Sequence, residues 1–493
     1  MKPKIKLFIC LIFAIFLIIN FYVGFGFHDD IAYAYLAYLL NEGKLKLPDT
    51  NNIFSFRLTV YFPIALFYKI FSINEYSASL PFILYSIGTI FATYQLGEML
   101  FNENVGLFAS ILLSVLPLFL FYTTQYGPDI PLTFFITCSM LFFVKAEKGQ
   151  KPGKNYFISG LFLGFAYLTK ITFVAFVIAL LFLVNKKFFK NKKKLIEYSF
   201  ILFGFLLCFV SENIYYYIKT GDWFVNIKSN FKTYYKPLNP NPDTLFYLKA
   251  VLGFILIDDF NFFGFLFYTF FISVLTMIKK QKRNFIYLIV WVISSYLSLE
   301  FLFPLFTSVG AIEKDVRFLI IILPPVVITI GKFLENVKKA SNFLFLVIFS
   351  LLFIPSLYFS WDCTTYVRAG MGDIREVYNF LKNLPEKNIY SHIGYNDRLK
   401  FFFSFNDSIN LIPYNCFAIN CSSENYNTGK YIHDAYVILD PDCYTVYNKK
   451  EFPAFVYNPP KDWILLKTIE IIPPTKHNYL CLFEFNPKIY YAP

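Results

Sequence analysis

Long apolar blocks follow one another along the chain, and the residues between them are polar and often basic. Segments such as 195–218 and 342–360 are apolar for close to the ~20 residues that a helix needs to cross a bilayer. A backbone in lipid must satisfy its own hydrogen bonds, so these blocks are predicted to be helices. The pattern therefore predicts a polytopic membrane protein.

The apolar blocks predict eleven spans, and two further segments are ambiguous. The spans are 6–24, 77–97, 104–122, 129–145, 156–169, 171–185, 195–218, 262–278, 284–303, 317–335 and 342–360. Segment 57–73 carries Arg57, Pro63 and Lys69, and either spans the bilayer or lies flat at its interface. Segment 244–259 poses the same question. We therefore expect about 11–13 transmembrane helices, preferably an odd number.

Basic residues lie in short clusters between the apolar blocks. The clusters are at the N-terminus and at 145–155, 186–194, 279–283 and 332–339, which is the positive-inside pattern of cytoplasmic loops. The net charge of +12 is distributed in this way along the chain, which argues against nucleic acid as a partner. We expect a multi-pass cell-membrane protein with a cytoplasmic N-terminus and an uncleaved first helix.

Two domains are predicted from the change in composition near residue 360. Residues 1–360 are expected to form an all-α transmembrane domain whose first outer loop is 25–76, and residues 361–493 a small extracytoplasmic α/β domain. Within the second domain, the stretch from Asp373 to Pro385 predicts an amphipathic helix. Strands are predicted at 436–440, 463–472 and 479–485. Cys416 and Cys421 either form a disulfide or stay free.

Paired carboxylates follow the first predicted span. Carboxylates near membrane depth are costly and usually mark function. Asp29 and Asp30 could take a proton from an incoming hydroxyl or amine, or bind a cation. Capping of the next helix is the alternative, and the same two interpretations apply to Asp129. Asp258 and Asp259 form a further pair or a simple turn.

Cations are predicted at the same boundary. Lys170 lies at a tight outer turn, where it either binds a phosphate as a point charge or extends to the interface. Arg317 follows Glu313 and Asp315, and it either holds a phosphate bidentately or forms an exposed ion pair. The predicted topology puts these groups on one face of the membrane, which suits an anionic, lipid-anchored substrate.

Four motifs in order resemble the GT-C glycosyltransferases of the protein O-mannosyltransferase and aminoarabinose-transferase type. HDDIAYAYLAYLLNEGKL is similar to their D-E-x-x-Y opening, with Asp29, Asp30 and Tyr33 at the three positions. The stretch from SASLPF to YGPD, the segment GLFLGFAYLTK and the run VRFLIIILPP resemble three later motifs. The likeness covers roughly residues 25–335. It departs from the family pattern at Ser79 and Glu98, where the family has arginine, and in lacking an arginine before Asp129.

The resemblance implies a transferase that uses a polyprenyl-phosphate sugar. By analogy, Asp29 is the catalytic base, Asp30 and Asp129 shape an acceptor or cation site, and Lys170 and Arg317 face the lipid phosphate. It also implies Tyr33 and Asp315 as substrate-binding residues, and a divalent cation (Mg or Mn) at Asp29 and Asp30. The expected partners are the bilayer, the lipid-linked donor and a protein, lipid or glycan acceptor. Direct displacement would invert the anomeric carbon.

Two other function classes remain open from the sequence. A transporter or flippase of lipid-linked glycans would also need charges at the interface, and would be expected to have related halves. A non-catalytic scaffold derived from transferases is the second alternative. The chain has no Walker loop, no G-x-G-x-x-G and no G-x-S-x-G, so nucleotide-driven transport and serine hydrolysis have no support.

Overall fold

A computed structural model describes most of the chain as one bundle of helices with a small sheet at one end. The described residues are 3–26, 28–50, 52–184, 192–234, 246–251, 263, 265–277, 282–302, 315–370, 372–414, 427–439, 452–469 and 487–493. Segment 479–485, Glu313, Asp258, Asp259, Cys416, Cys421 and most of 244–259 lie outside them, so the predictions made there stay predictions.

The helices of the membrane part run in chain order from the N-terminus. They are α1 (Pro3–Asn20), α2 (His28–Asn41), α3 (Leu58–Phe71), α4 (Glu75–Leu100), α5 (Glu103–Val115), α6 (Pro117–Tyr122), α7 (Asp129–Glu147), α8 (Pro152–Tyr167), α9 (Val174–Leu183), α10 (Lys192–Thr220), α11 (Val225–Tyr234), α12 (Phe246–Val251), α13 (Leu266–Met277), α14 (Lys282–Leu297), α15 (Leu323–Ala340) and α16 (Asn342–Gly370). Short 3-10 turns occupy Ile53–Phe56, Ile171–Phe173 and Val316–Ile322, and a π-helical turn occupies Ser298–Leu302.

The predicted membrane character is confirmed by the helices themselves. In the described ranges, six helical segments are at least 18 residues long and apolar enough to cross a bilayer. Five shorter apolar helices of 10–17 residues lie among them. The protein is therefore a multi-pass membrane protein. Its orientation in the membrane stays a prediction from the lysine pattern.

Several boundaries differ from the predicted spans. The predicted span 104–122 is divided into α5 and α6 at Leu116, because Pro117 begins the second helix and cannot continue the first. Segment 57–73 forms α3, whose 14 residues reach ~21 Å, less than the ~30 Å hydrocarbon core. That length favours the interfacial interpretation. Helix α16 continues to Gly370, ten residues beyond the predicted end of the last span.

Helices α8 and α10 pack with their backbones in close contact. A Cβ atom at Gly160 would lie 2.0 Å from the carbonyl oxygen of Ile201, and one at Gly204 would lie 2.3 Å from that of Phe157. Glycine is therefore required on both sides of this crossing. Small residues at helix contacts are the usual means of close approach in membranes. This pair fixes the position of the turn that follows α8, which carries Lys170.

In its described residues, the C-terminal domain combines two α-helices with a five-stranded sheet. Its helices are α17 (Gly372–Leu381) and α18 (Ile393–Phe402), and its strands are β1 (Asn388–Ser391), β2 (Leu411–Pro413), β3 (Ala435–Leu439), β4 (Ile464–Thr468) and β5 (Lys488–Ala492). The strand order is β2-β1-β3-β5-β4. Strand β1 pairs in parallel with both β2 and β3. Strand β5 pairs in antiparallel fashion with both β3 and β4. The predicted helix and the first two predicted strands are confirmed.

The domain packs directly on the loop that follows α1. The ring of Phe401 stacks on that of Phe25, with 4.6 Å between the ring centroids. Arg375 donates to the Glu75 carboxylate at 2.7 Å and to the backbone oxygen of Val23 at 3.0 Å. The domain, the first loop and the start of α4 are thus joined at one end of the bundle, and this end carries the residues of the candidate site.

Candidate active site

Asp29 and Asp30 lie in the first turn of α2, directly after the loop that leaves α1. The carboxylate of Asp29 is partly exposed, and its Oδ2 lies 3.2 Å from Nη1 of Arg317. Asp29 therefore remains reachable from the cavity while it is held by a cation.

Asp30 makes a different set of contacts. It is 2% exposed, its Oδ2 accepts from the backbone N–H of Gly26 at 2.7 Å, and its Oδ1 accepts from the backbone N–H of Tyr126 at 3.1 Å. These two bonds join the loop after α1 to the loop between α6 and α7. Asp30 thus fixes the backbone around the site, and its predicted catalytic role stays a prediction.

Asp129 begins α7 and forms a buried ion pair with Lys170. Lys170 Nζ donates to Asp129 Oδ1 at 2.7 Å, and both side chains are 4% exposed. The ammonium group also lies 3.8 Å from the ring centroid of Phe318. Burial lowers the pKa of Lys170 to about 8, and the nearby guanidinium groups of Arg317 and Arg57 act in the same direction, while Asp129 opposes them. Lys170 therefore points inward, in contrast to an interfacial lysine.

Arg317 connects three of the carboxylates. In addition to Asp29, its guanidinium lies 3.0 Å from Asp315 Oδ2 and 3.8 Å from Asp129 Oδ2. Asp315 also accepts from the backbone N–H of Arg317 at 2.9 Å and so begins the 3-10 turn Val316–Ile322. Because one guanidinium is shared among several carboxylates, an arriving phosphate can compete for it.

Tyr33 lies under this cluster, one helical turn after Asp29. It is fully buried, Arg57 donates a hydrogen bond to its hydroxyl, and the ring of Phe54 meets it edge-on at 5.2 Å. Burial raises the pKa of Tyr33 well above its ordinary value, so the hydroxyl stays protonated. Tyr33 contacts the guanidinium of Arg57, and its predicted role in substrate binding stays a prediction.

A small cavity brings most of the predicted residues together. Its lining is Asp29, Asp30, Tyr122, Gln125, Gly127, Asp129, Ile130 and Arg317. Lys170 and Asp315 contact this lining through Asp129 and Arg317, and Tyr33 follows Asp29 by one helical turn. Polar side chains here that we did not select from the sequence include Tyr122 and Gln125 in the lining and Arg57 against Tyr33. Of these, Arg57 had a signal, namely a charge in an apolar segment. Gln125 is 3% exposed and its Nε2 has no partner in the described part of the chain.

The acidic residues do not fit the predicted divalent-cation site. Both oxygens of Asp30 already accept backbone N–H groups, and Asp29 is paired with an arginine. Over the described ranges, no group of three or more His, Cys, Asp or Glu side chains is arranged to hold a metal ion. The need for a metal stays a prediction that rests on the family resemblance.

The fold is that of a polytopic membrane protein, and it resembles two solved structures of membrane proteins. ArnT from Cupriavidus metallidurans bound to undecaprenyl phosphate matches with a TM-score of 0.60 and 13% identity, over 98% of this chain and 97% of that one. The oligosaccharyltransferase AglB from Archaeoglobus fulgidus, in complex with an inhibitory peptide and a dolichol-phosphate, matches with a TM-score of 0.51 and 13% identity, over 90% and 70%. The GT-C fold expected from the motifs is confirmed.

Sequence comparison gives a family match over part of the chain. Residues 58–215 match the family described as dolichyl-phosphate-mannose-protein mannosyltransferase. An uncharacterized protein of Aquifex aeolicus is 25% identical over 344 residues. The match covers 66% of this chain and 64% of that protein's length.

Proposed function

We propose that the protein is a glycosyltransferase that transfers a sugar from a polyprenyl-phosphate carrier to an acceptor at the outer face of the membrane. The observation that carries this proposal is the cavity in which Asp29 and Asp129 meet Lys170 and Arg317. Proteins of the same fold have been seen with undecaprenyl phosphate and with dolichol-phosphate. A carrier of that kind would bring an anionic group to this end of the bundle.

The two cations suit the carrier phosphate. Arg317 has a planar guanidinium that can bind a phosphate through two N–H groups, and Lys170 adds a compact charge in a nearly dry environment, where it acts more strongly than in water. In the transition state the bond from the anomeric carbon to the phosphate oxygen breaks, and negative charge grows on the leaving phosphate. Preplaced cations stabilise that charge without reorganisation.

Asp29 is the proposed general base. The acceptor O–H or N–H attacks the anomeric carbon, its proton passes to the Asp29 carboxylate, and polyprenyl phosphate leaves with the electron pair of the broken bond. One displacement of this kind inverts the anomeric configuration. Binding of the phosphate to Arg317 would also weaken the pair between Arg317 and Asp29, which would free the base when the donor is in place.

The test is transfer of radiolabelled sugar from polyprenyl phosphate in membranes that contain the protein. We expect Asp29→Asn to lower the rate by about a hundredfold or more, because a general base contributes 10²–10⁴-fold. Asp222→Asn is the matched control, since Asp222 is paired with Lys228 outside the candidate cavity. Full activity of Asp29→Asn at equal abundance would remove Asp29 from catalysis. Movement of lipid-linked sugar across the bilayer without transfer would favour the transporter.

A further inference from the structure

A second, larger cavity lies between α2 and the C-terminal domain. Its volume is about 730 Å³, within the ~300–1,000 Å³ of small-molecule sites. Helix α2 contributes Tyr35 and Tyr38 to one wall, and the domain contributes Asp397, Phe405 and Asn406 to the other. We call it the α2 groove. It shares no lining residue with the cavity that holds Asp29.

Three aromatic rings form one side of the α2 groove. Tyr38 stacks on Phe405 with 4.9 Å between centroids, Tyr35 lies 5.4 Å from Phe405, and Tyr35 is 44% exposed. Phe405 has a φ of 55°, as Ser404 before it has 54°. The left-handed region is costly for a residue with a bulky side chain. The turn nevertheless holds the Phe405 ring against the two tyrosines, which is the arrangement of a fixed platform.

Planar amides and balanced charges form the rest of the lining. The Asn52 and Asn406 carboxamide oxygens accept from the backbone N–H groups of Phe54 and Ser408. Their Nδ2 groups make no hydrogen bond to the described residues and can donate to a ligand. Two lysines and two aspartates also line the groove, namely Lys44, Lys400, Asp397 and Asp407. Their formal charges cancel, so the groove suits a neutral ligand better than an anionic one.

This combination fits a sugar ring. A neutral pyranose has an apolar face of C–H groups that can lie on an aromatic ring and a rim of hydroxyls that can bond to amides and carboxylates. A peptide strand fits less well, although the groove includes Leu411 at the start of β2. That edge strand has three residues and ends at Pro413, which has no N–H to offer an added strand.

One residue that lines the α2 groove lies within one helical turn of the proposed catalytic base. Ala32 lines the groove, and on a helix it lies on the same face as Asp29, three residues earlier and about 4.5 Å along the axis. We propose that the α2 groove binds a neutral saccharide acceptor and directs one of its hydroxyls to Asp29. This inference rests on the proposed function. The acceptor hydroxyl forms the new bond to the anomeric carbon, its proton goes to Asp29, and polyprenyl phosphate leaves.

The experiment measures saccharide binding and sugar transfer separately. The full-length protein in nanodiscs is titrated with neutral gluco-, manno- and galacto-tetrasaccharides and with a Ser/Thr-rich peptide, in the absence of donor. We expect at least one tetrasaccharide to bind, and Tyr35→Ala to weaken its binding about three- to tenfold, the value of one aromatic contact. Tyr35→Phe keeps the ring and the binding. Tyr76→Ala is the matched control, because Tyr76 is 71% exposed and lines a different cavity.

The outcomes separate the two proposals. Asp29→Asn should bind the same saccharide normally but transfer sugar about a hundredfold or more slowly. Tyr35→Ala should raise the KM for the saccharide and leave the KM for the donor unchanged. Binding that depends on Tyr35 without any transfer would overturn the proposed function and keep the groove as a saccharide site. Three results would overturn the saccharide assignment: Tyr35-dependent binding of the peptide alone, saccharide binding that is unchanged in Tyr35→Ala, or no binding of any tetrasaccharide. None of them bears on the proposed function, which is tested separately by transfer from polyprenyl phosphate.

Discussion

Burial lowers the pKa of Lys170 to about 8. A lysine is a cation below its pKa, so the free protein loses this charge as the pH rises through about 8. If Lys170 holds the carrier phosphate, kcat/KM for the donor should fall on the alkaline side with that apparent pKa. Lys170→Arg keeps a cation at all accessible pH values and should remove this alkaline decline. Identical pH profiles for the wild-type protein and Lys170→Arg would show that the charge of Lys170 does not control donor binding.

We expect substitution of Asp30 to lower the free energy of unfolding more than it lowers the rate of sugar transfer. Asp30→Ala removes the acceptor for the backbone N–H groups of Gly26 and Tyr126. Leaving two buried donors unsatisfied should cost about 2–4 kcal/mol, and Asp30→Asn, which keeps one carbonyl oxygen, should cost less. Denaturation followed in detergent measures the difference. A stable Asp30→Ala protein that has lost transfer would instead place Asp30 in the chemistry.

The seven site residues selected from the sequence lie at one end of the bundle. This could be predicted because lysine placement and helix length indicate which loops lie on the same face of the membrane. Their pairing was not predictable. Nothing in a linear sequence says that Arg317 reaches Asp29 across a separation of 288 residues, or that Asp30 accepts from the backbone N–H of Tyr126. Gln125 lacks a signal altogether, since a glutamine before a helix is ordinary until its Nε2 is found buried without a partner.

At the scale of elements, the α8–α10 crossing gives a direct prediction. Gly160→Ala places a Cβ about 2.0 Å from the carbonyl oxygen of Ile201, which forces two backbones apart and should destabilise the protein by about 1–3 kcal/mol. Gly153→Ala is the matched control on the same helix, since its nearest neighbour is the Phe200 ring at 3.4 Å. Thermal unfolding of the two variants is the comparison. Equal stability would mean that the helices separate at little cost.

Apolar length predicts that an element crosses the membrane better than it predicts where the element breaks. The segment 317–335 begins as a 3-10 turn over Val316–Ile322 before α15 starts at Leu323, ahead of Pro324 and Pro325. Proline fits the first turn of a helix, so the α-helix starts there. In the tail, alternation and branched side chains predicted β3 and β4, whereas β1 and β2 are too short, at four and three residues, to show a period.

At the scale of the whole molecule, the N-terminal part of the described chain packs against the C-terminal domain. Glu75 and Val23 accept from Arg375, Phe25 lies on Phe401, and the α2 groove has walls from both parts. The domain is therefore a structural part of the site's surroundings. A chain that stops after Gly370 should keep its spans, which carry their own backbone hydrogen bonds. This truncated chain should lose the contacts that Phe401 and Arg375 make with the loop after α1.

That arrangement has a consequence for biosynthesis. The ribosome makes the loop after α1 hundreds of residues before Phe401, so Phe25 must wait for its partner while the later helices enter the membrane. Hydrogen–deuterium exchange over residues 21–33 should be slow in the full chain and faster in the chain that ends at Gly370, with exchange in α4 as the internal control. Equal exchange would show that the loop orders by itself. Otherwise the first loop to be synthesised is among the last segments to reach its folded structure.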